Sequence, residues 1–477
     1  MKLAELFPER NDIKETEIIG LSSDSRGVKP GYLYAALQTL TLDGNRYIEA
    51  AVRNGAAAVL ANDASLRQKF PEVCFLESAN PNKDFAQAAA LFYPHRPQNI
   101  CAVTGTNGKT SIADFVRQAI FAAGKNAASM GTLGVIKNDL PPLVYPNTTP
   151  ETVALHQRLD TLAKEGFNYV AMEASSHGIC EYRLGGIRIK AAGFTNLTLD
   201  HLDYHKTMEN YYKAKEMLFT ELLDKDGTAV LNADSDVYER LEKACREAGR
   251  KVLSYGRRGQ DIKLLSEEAT DKGQILKIIF EGKPRELFIP LAGDFQAMNV
   301  LCALGLASVL TGEPEKMLAA MSSIKGAKGR LEYIGTTAAG GAVYVDYAHT
   351  PDALENVIAA MRPHTRARLH VLFGCGGDRD NSKRPIMGKI AAEKADEVYV
   401  SDDNPRTENP EEIRRQIMTG CPDAHNIGGR EDAIKYAVGN LRDGDVLIVA
   451  GKGHETGQYI MGKVYPFSDQ EVIRKYL

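Results

Sequence analysis

Residues Ile100 to Val103 form an apolar strand candidate that runs straight into Thr104-Gly105-Thr106-Asn107-Gly108-Lys109-Thr110-Ser111, and an amphipathic helix candidate follows. Its apolar positions Ile112, Phe115, Val116, Ala119, Ile120 and Ala123 have the i, i+3, i+4, i+7 spacing of one buried face. Gly124 is placed to close that helix. A loop between a strand end and a helix N-terminus presents unpaired backbone N–H groups and a positive dipole end, which is what a phosphate needs. Gly105 and Gly108 let those amides converge, Lys109 supplies a point charge, and Thr110 offers a hydroxyl to Mg²⁺. Thr106, Asn107 and Ser111 complete the cradle. The plain alternative is a glycine-rich strand-to-helix turn, and Val103 stands where the usual phosphate loop has its first glycine. The Gly-Lys-Thr run at such a junction favours nucleotide binding.

A chain of 477 residues exceeds one ordinary core, so two to four domains are expected. Its formal net charge of −4 argues against nucleic acid held by bulk charge. Seven cysteines without a Cys-x-x-Cys pair read as the reduced thiols of a cytoplasmic protein. Met1 to Arg10 lacks a signal-peptide core, and the apolar runs look strand-length, so no membrane insertion is expected.

The fold class expected is α/β with three domains. Residues 1–88 form a small N-terminal α/β unit, with Gly31 to Leu37 a strand and Tyr47 to Asn62 a helix followed by a strand. Pro94-His95-Arg96-Pro97 reads as a linker. Residues 89–326 alternate strands and helices, including Tyr169 to Met172 and Ala191 to Phe194, as in a mainly parallel P-loop sheet. After the Gly/Lys stretch Ile324 to Arg330, residues 327–477 hold strands at Ala342 to Val345, Leu369 to Phe373 and Val446 to Ala450, a doubly wound, Rossmann-like pattern.

Three further features carry chemistry. Glu173 ends a central strand, well placed for Mg²⁺, although a buried capping carboxylate fits equally. Asp200, His201, Asp203 and His205 crowd one loop, which favours a metal or phosphate site. Lys215 falls within the apolar stripe Met208, Tyr211, Tyr212, Leu218, Phe219, Leu222. A buried lysine must be paired or chemically changed, unless its stem packs and its ammonium snorkels to water, which spacing alone favours.

The segments TGTNGKTS (104–111), NTTPE (147–151), MEASSHG (172–178), TNLTLDHLDYH (195–205), YYKAKEMLF (211–219), GDFQAMN (293–299), DYAHTPDALE (346–355), GCGGDRDNSKRP (374–385), DDNPRTENP (402–410) and AGKGHE (450–455) together resemble the Mur ligases, in family order and across all three expected domains. The resemblance implies roles at the matched positions. Lys215 is similar to the lysine that takes up CO₂ as a carbamate, with Glu173, His201 and Thr110 as Mg²⁺ partners and Lys109, His201 and Lys215 as catalytic groups. Asn299 resembles the adenine contact, and Arg330 and Asp346 the residues that close on the nucleotide. Ser23, Ser25, Asn147, Thr148, Thr149, Ser175, Glu181 and Arg183 resemble the contacts to UDP-N-acetylmuramoyl-L-alanyl-D-glutamate. Glu181 departs from the glutamine common in relatives and adds negative charge beside an anionic substrate.

The amine donor is read from Asp403-Asn404-Pro405-Arg406. meso-2,6-Diaminopimelate ends in a second amino-acid head, and lysine ends in an ammonium alone. Arg406 and Arg379 can fork a carboxylate, and Glu455, beside Gly451, can take an ammonium. The expected enzyme is an ATP-dependent acid–amino-acid ligase working as a monomer through an acyl phosphate. The alternatives are lysine addition, a folylpolyglutamate synthetase-like ligase, and a P-loop binding module without ligation.

Overall fold

Four short parallel strands, β1 (Gly20–Ser22), β2 (Tyr32–Ala35), β3 (Ala56–Ala61) and β4 (Cys74–Glu77), pair in chain order at the N-terminus. Leu33, Ala58 and Leu60 pack beneath the helix Pro81–Phe92 through Phe85, Ala88 and Ala89. The computed structural model describes residues 1–477 apart from 12, 41, 64, 141, 144–146 and 271–272. Two units divide the chain, Met1–Lys263 with Leu301–Ala320, and Leu264–Val300 with Met321–Leu477.

In the first unit a second sheet is built from β5 (Asn99–Thr104), β6 (Ala127–Gly131), β7 (Gly134–Lys137), β8 (Tyr169–Glu173), β9 (Ile189–Phe194), β10 (Leu223–Asn232) and β11 (Lys251–Gly256). Their spatial order is β11-β10-β9-β5-β8-β6-β7, parallel except for the β6–β7 hairpin. The central strand β5 has later strands on both sides, so its C-terminal end opens a crevice between the ends of β8 and β9, the position where open α/β sheets bind ligands. Ile100, Cys101, Ala102 and Val103 are all fully buried, as a strand covered on both faces requires. The expected helix spans Lys109–Ala122 and buries Ile112, Phe115, Val116, Ala119 and Ile120. Truncating a ring such as Phe115 costs about 3–5 kcal/mol, so this face seats the loop firmly.

The second unit holds a sheet ordered β15-β16-β20-β17-β18-β19. Its strands are β15 (Glu332–Thr336), β16 (Ala342–Asp346), β17 (Leu369–Phe373), β18 (Glu397–Val400), β19 (His425–Asn426) and β20 (Val446–Ala450). The hairpins β13–β14 (Gly273–Phe280, Lys283–Ile289) and β21–β22 (Gly457–Ile460, Lys463–Pro466) belong to this unit, and β12 (Ile262–Thr270) begins in the first unit. The loops leaving β16, β17, β18 and β20 at their C-terminal ends are the motif segments 346–355, 374–385, 402–410 and 450–455.

Two sequence expectations change. The C-terminal region has eight strands rather than three, six in one sheet and two in the β21–β22 hairpin, because β15, β21 and β22 lack an apolar run and β18 and β19 are short. The linker segment 94–97, between the helix Pro81–Phe92 and β5, is neither helix nor strand and is anchored: the His95 backbone N–H donates to Asp160 Oδ1 at 3.1 Å, and Arg96 Nη1 donates to the Gly186 carbonyl at 2.6 Å. The apolar runs are not all strand-length either, since the helix Asp294–Thr311 is long and apolar enough to cross a bilayer. Most of it is buried within the protein, the signature of a core helix.

Candidate active site

The loop after β5 is stitched to the segment after β9. Thr106 N–H donates to the Asn196 carbonyl at 3.0 Å, Asn107 N–H to Asn196 Oδ1 at 2.9 Å, and Thr195 Oγ1 to the Asn107 carbonyl at 2.6 Å. Gly105 has φ +145°, and a Cβ there would sit 1.8 Å from Thr195 Oγ1, so only glycine lets the two segments meet. The Lys109 ammonium folds over the loop and donates to the carbonyls of Gly105 and Thr106 at 2.9 and 2.8 Å. The cradle therefore stands with its charge held over the loop carbonyls.

Glu173 closes the other wall. Its carboxylate accepts Thr110 Oγ1 at 2.9 Å, Thr132 N–H at 2.6 Å and Thr132 Oγ1 at 3.2 Å, and it is 2% exposed. Thr110 and Glu173, both read as Mg²⁺ partners, thus already touch. Thr132 sits in the tight β6–β7 turn and had no signal in the sequence beyond the flanking glycines Gly131 and Gly134. It also contacts Thr148 Oγ1 at 3.1 Å, joining the metal side of the crevice to the NTTPE segment.

Lys215 does not snorkel. It is 1% exposed, its Nζ donates to the Gly105 carbonyl at 2.8 Å, and the same nitrogen lies 4.3 Å from the centre of the Tyr211 ring. Burial first, and the nearby Lys109 charge second, hold its amine well below the usual lysine range, with Asp200 opposing. The nitrogen thus faces the phosphate loop in surroundings that disfavour its charged form.

A cavity of about 280 Å³ opens here, lined by Lys109, Asn147, Thr148, Thr149, Ser175, Ser176, His177, Arg183, His201, Tyr211 and Lys215. His201 caps the short helix Leu202–His205 with φ 53°. Burial lowers its pKa, while Asp200, 3.6 Å from its Nε2, opposes the shift. The second histidine of the cluster is a structural group: His205 is buried, its Nε2 meets Ser176 Oγ at 2.9 Å, and burial pushes it down to about 4. Among the described residues no three His, Cys, Asp or Glu side chains converge as a ready metal cage. The donor chemistry present suits a divalent ion: the Glu173 carboxylate and the Thr110 hydroxyl touch, and the His201 ring, whose charged form burial disfavours, shares the cavity wall with the Lys215 amine.

On the far wall Thr149 Oγ1 donates to the Glu173 carbonyl at 3.0 Å and accepts the Ser175 N–H at 3.0 Å. Ser175 Oγ accepts the Gly178 N–H at 3.1 Å. These two hydroxyls hold the strand end to the helix Ser176–Cys180. Asn147 Nδ2 reaches Glu151 at 3.4 Å. Arg183 is doubly engaged, with Glu181 at 2.6 Å and Glu151 at 3.1 Å, and it donates to the Thr149 carbonyl at 2.8 Å. The added charge of Glu181 is thus neutralised by Arg183 rather than left facing the cavity. Ser23 and Ser25 lie apart from this cavity, in the turn after β1. Ser25 is buried, and its carbonyl accepts Asn54 Nδ2 at 2.8 Å.

In the second unit Asn299 is buried, and its Nδ2 donates to Gln296 Oε1 at 3.0 Å. Arg330 lies 4.8 Å over the Tyr347 ring. Asp346 accepts the N–H groups of Leu331 and Ala348 at 2.7 and 2.8 Å, and burial raises its pKa while Arg330 opposes. The loops after β17, β18 and β20 then assemble one polar array. Arg406 has φ 52°. Its backbone is held by the Tyr459 carbonyl at 2.9 Å, and its Nη1 by the Gly377 carbonyl at 2.7 Å. Pro405 precedes it, with its carbonyl accepting Glu408 N–H at 3.0 Å. Asn404 Nδ2 donates to Glu455 Oε2 at 2.9 Å. Asp403 Oδ1 accepts the Asn404 N–H at 2.6 Å, and a Cβ on Gly451 would fall 2.7 Å from Asp403 Oδ2. Arg379 is exposed on the neighbouring loop. Beneath the array, fully buried Arg384 clamps Glu408 at 2.9 Å and the Gly376 carbonyl at 3.1 Å.

A nucleotide-type crevice with a buried lysine, and a guanidinium–amide–carboxylate array on another sheet, are joined by matches to known proteins. Family models described as the Mur ligase family catalytic domain, middle domain and glutamate ligase domain match residues 17–100, 103–307 and 329–453. A UDP-N-acetylmuramoyl-L-alanyl-D-glutamate–2,6-diaminopimelate ligase of Mesorhizobium japonicum is 49% identical over 97% of this chain and 95% of its own. One of the same name from Chelativorans sp. is 48% identical over 100% and 98%. A solved structure of a ligase of that name superposes with a TM-score of 0.74 at 31% identity, covering 100% of this chain and 98% of the other. The fold is thus the three-domain α/β fold of that structure. With all three models matched in order and full-length relatives this similar, the chain belongs to the Mur ligase family.

Proposed function

We propose that this chain is an ATP-dependent ligase that joins meso-2,6-diaminopimelate to the D-glutamate of UDP-N-acetylmuramoyl-L-alanyl-D-glutamate, in the cytoplasm, as a monomer, during peptidoglycan precursor synthesis. In this reading residues 1–88 hold the uridine side through Ser23 and Ser25, 89–326 bind ATP, and 327–477 bind the amine. The observation that carries it is the array of Arg406, Asn404 and Glu455, which matches a zwitterionic head.

The chemistry follows from the groups present. The γ-carboxylate of the D-glutamate attacks the γ-phosphorus of ATP, giving an acyl phosphate and ADP. The diaminopimelate amine then attacks the acyl carbon, and phosphate leaves. Lys109 moves from the loop carbonyls onto the terminal phosphate. The cradle of Gly105, Thr106, Asn107, Gly108, Thr110 and Ser111 orients the chain of phosphates. Mg²⁺, when bound, neutralises developing phosphate charge. Glu173, Thr110, His201 and the carbamate of Lys215 would hold it. Asn299 reads adenine, and Arg330 with Asp346 orders the nucleotide. Arg183, with Thr148, Thr149, Ser175 and Asn147 around it, receives the substrate's anionic end. Arg406 and Arg379 take the distal carboxylate, and Glu455 with Asp403 the ammonium.

The test is phosphate release from ATP with the UDP-dipeptide and each candidate amine. Release with diaminopimelate is expected. Release with lysine alone would refute the amine assignment, and none with any amine would favour a binding module. The Arg183 contacts add a second expectation. Glu181→Gln loosens the carboxylate that holds Arg183 at 2.6 Å. The Michaelis constant for the UDP-dipeptide is then expected to fall roughly threefold to tenfold, the scale of one weakened charge-assisted bond. An unchanged or higher constant would mean that Glu181 itself contacts the substrate favourably.

A further inference from the structure

One cation in the second unit has no part in the chemistry above. Lys452 lies in the loop after β20, its side chain is fully buried, and its ammonium has three acceptors: Asn404 Oδ1 at 3.0 Å, Glu455 Oε2 at 2.8 Å and the Gly457 carbonyl at 2.8 Å. A buried ammonium is tolerated only when its donors are used in this way. Glu455 and Gly457 follow Lys452 by three and five residues, where the loop after β20 enters the β21–β22 hairpin, and Asn404 comes from the separate loop after β18.

The consequences for the array are geometric. Asn404 Oδ1 accepts both Lys452 Nζ and the Tyr459 N–H at 3.0 Å, so the amide cannot turn over without setting its NH₂ against two donors. That leaves Nδ2 aimed at Glu455 Oε2. Glu455 Oε2 therefore receives two donors, one from Lys452 and one from Asn404, and the carboxylate is fixed in one rotamer with Oε1 as its remaining face. The hairpin strand bonded to Asn404 through Tyr459 N–H also carries the carbonyl that holds the Arg406 N–H. One ammonium thus ties together the group that takes an ammonium and the strand that sets the backbone of the group that takes a carboxylate.

We infer that Lys452 is a positioning residue that fixes the spacing between the Glu455 carboxylate and the Arg406 guanidinium, and so sets selection of a zwitterionic amine donor over a simple amine. This rests on the reading of the amine donor given above. A mispositioned frame binds the two-headed amine poorly while leaving nucleotide handling unchanged.

The variant Lys452→Met keeps length and apolar volume and removes the three donors. Steady-state phosphate release is measured with each substrate varied in turn, together with calorimetric titration of diaminopimelate and a thermal melt. The Michaelis constant for diaminopimelate is expected to rise about tenfold or more, the scale of lost charge-assisted bonds, and its preference over lysine to shrink by a similar factor. The constants for ATP and the UDP-dipeptide are expected to stay within about twofold. Combined with Glu455→Gln, the two changes should be non-additive, because Lys452 acts through that carboxylate. If Lys452→Met does not yield folded protein, Lys452→Gln, which keeps two donors, is measured the same way with the same expected direction. A lowered melting temperature with an unchanged diaminopimelate constant would reduce Lys452 to a structural group and overturn the inference. If the wild-type protein bound no diaminopimelate at all, the reading of the amine donor would fall, and this proposal with it.

Discussion

Replacing Lys215 by methionine is expected to lower ligation by at least about 10²- to 10³-fold, the scale of removing one preorganised electrostatic group at a phosphoryl-transfer site. The side chain is 1% exposed, so methionine fills the same space without the nitrogen. Burial first and the Lys109 charge second hold the amine well below the usual lysine range. That direction favours the unprotonated amine, the form that takes up CO₂, and acidification opposes it by favouring the inert ammonium. Activity is therefore expected to fall when bicarbonate is stripped from the buffer at mildly acidic pH and to return when it is restored. A carbon-13 carbamate resonance should appear in the wild-type protein incubated with labelled bicarbonate and be absent from Lys215→Met. Full activity in the variant, or wild-type activity indifferent to bicarbonate with no such resonance, would remove the carbamate from the mechanism.

The second large effect belongs to Arg406. Arg406→Lys keeps the charge but loses the fork, and a point ammonium cannot meet both oxygens of a distal carboxylate. The guanidinium is held in advance, by the Gly377 carbonyl at Nη1 and by a backbone at φ 52° locked to the Tyr459 carbonyl. Such pre-organisation means little ordering remains to oppose binding. The variant is expected to lose roughly 10- to 200-fold in kcat/KM for diaminopimelate, the range of one or two charge-assisted bonds. Its activity with lysine should not fall in parallel, because lysine brings no distal carboxylate. Equal losses with both amines would place Arg406 in the scaffold instead.

What the sequence made legible was local. The phosphate loop announced itself because strand, glycines, lysine and amphipathic helix are consecutive, and the helix Lys109–Ala122 buries the expected face. Lys215 was visible as a charge within an apolar stripe, but its destination was not. Spacing favoured a stem reaching water, and only the tertiary position of the Gly105 carbonyl shows where the nitrogen goes. Thr132 was invisible because its partners Glu173 and Thr148 come from other segments. Lys452 could be read as part of a motif but not as a hub, since Glu455 and Gly457 are its neighbours in sequence while Asn404, 48 residues away, reaches it only in the folded sheet. The strands β18 and β19 were missed because four- and two-residue strands carry almost no periodicity. His205 misled, because a histidine beside His201 in sequence turns instead onto Ser176.

The most direct measurement is phosphate release by the wild-type protein supplied with ATP, Mg²⁺ and the UDP-dipeptide, comparing diaminopimelate, lysine and no amine under identical conditions. Rapid release with diaminopimelate, and release with lysine at least about 10²-fold slower, is the expected result. Equal rates with lysine, or release independent of any amine, would contradict the pairing of a phosphate-gripping turn with a carboxylate-reading arginine.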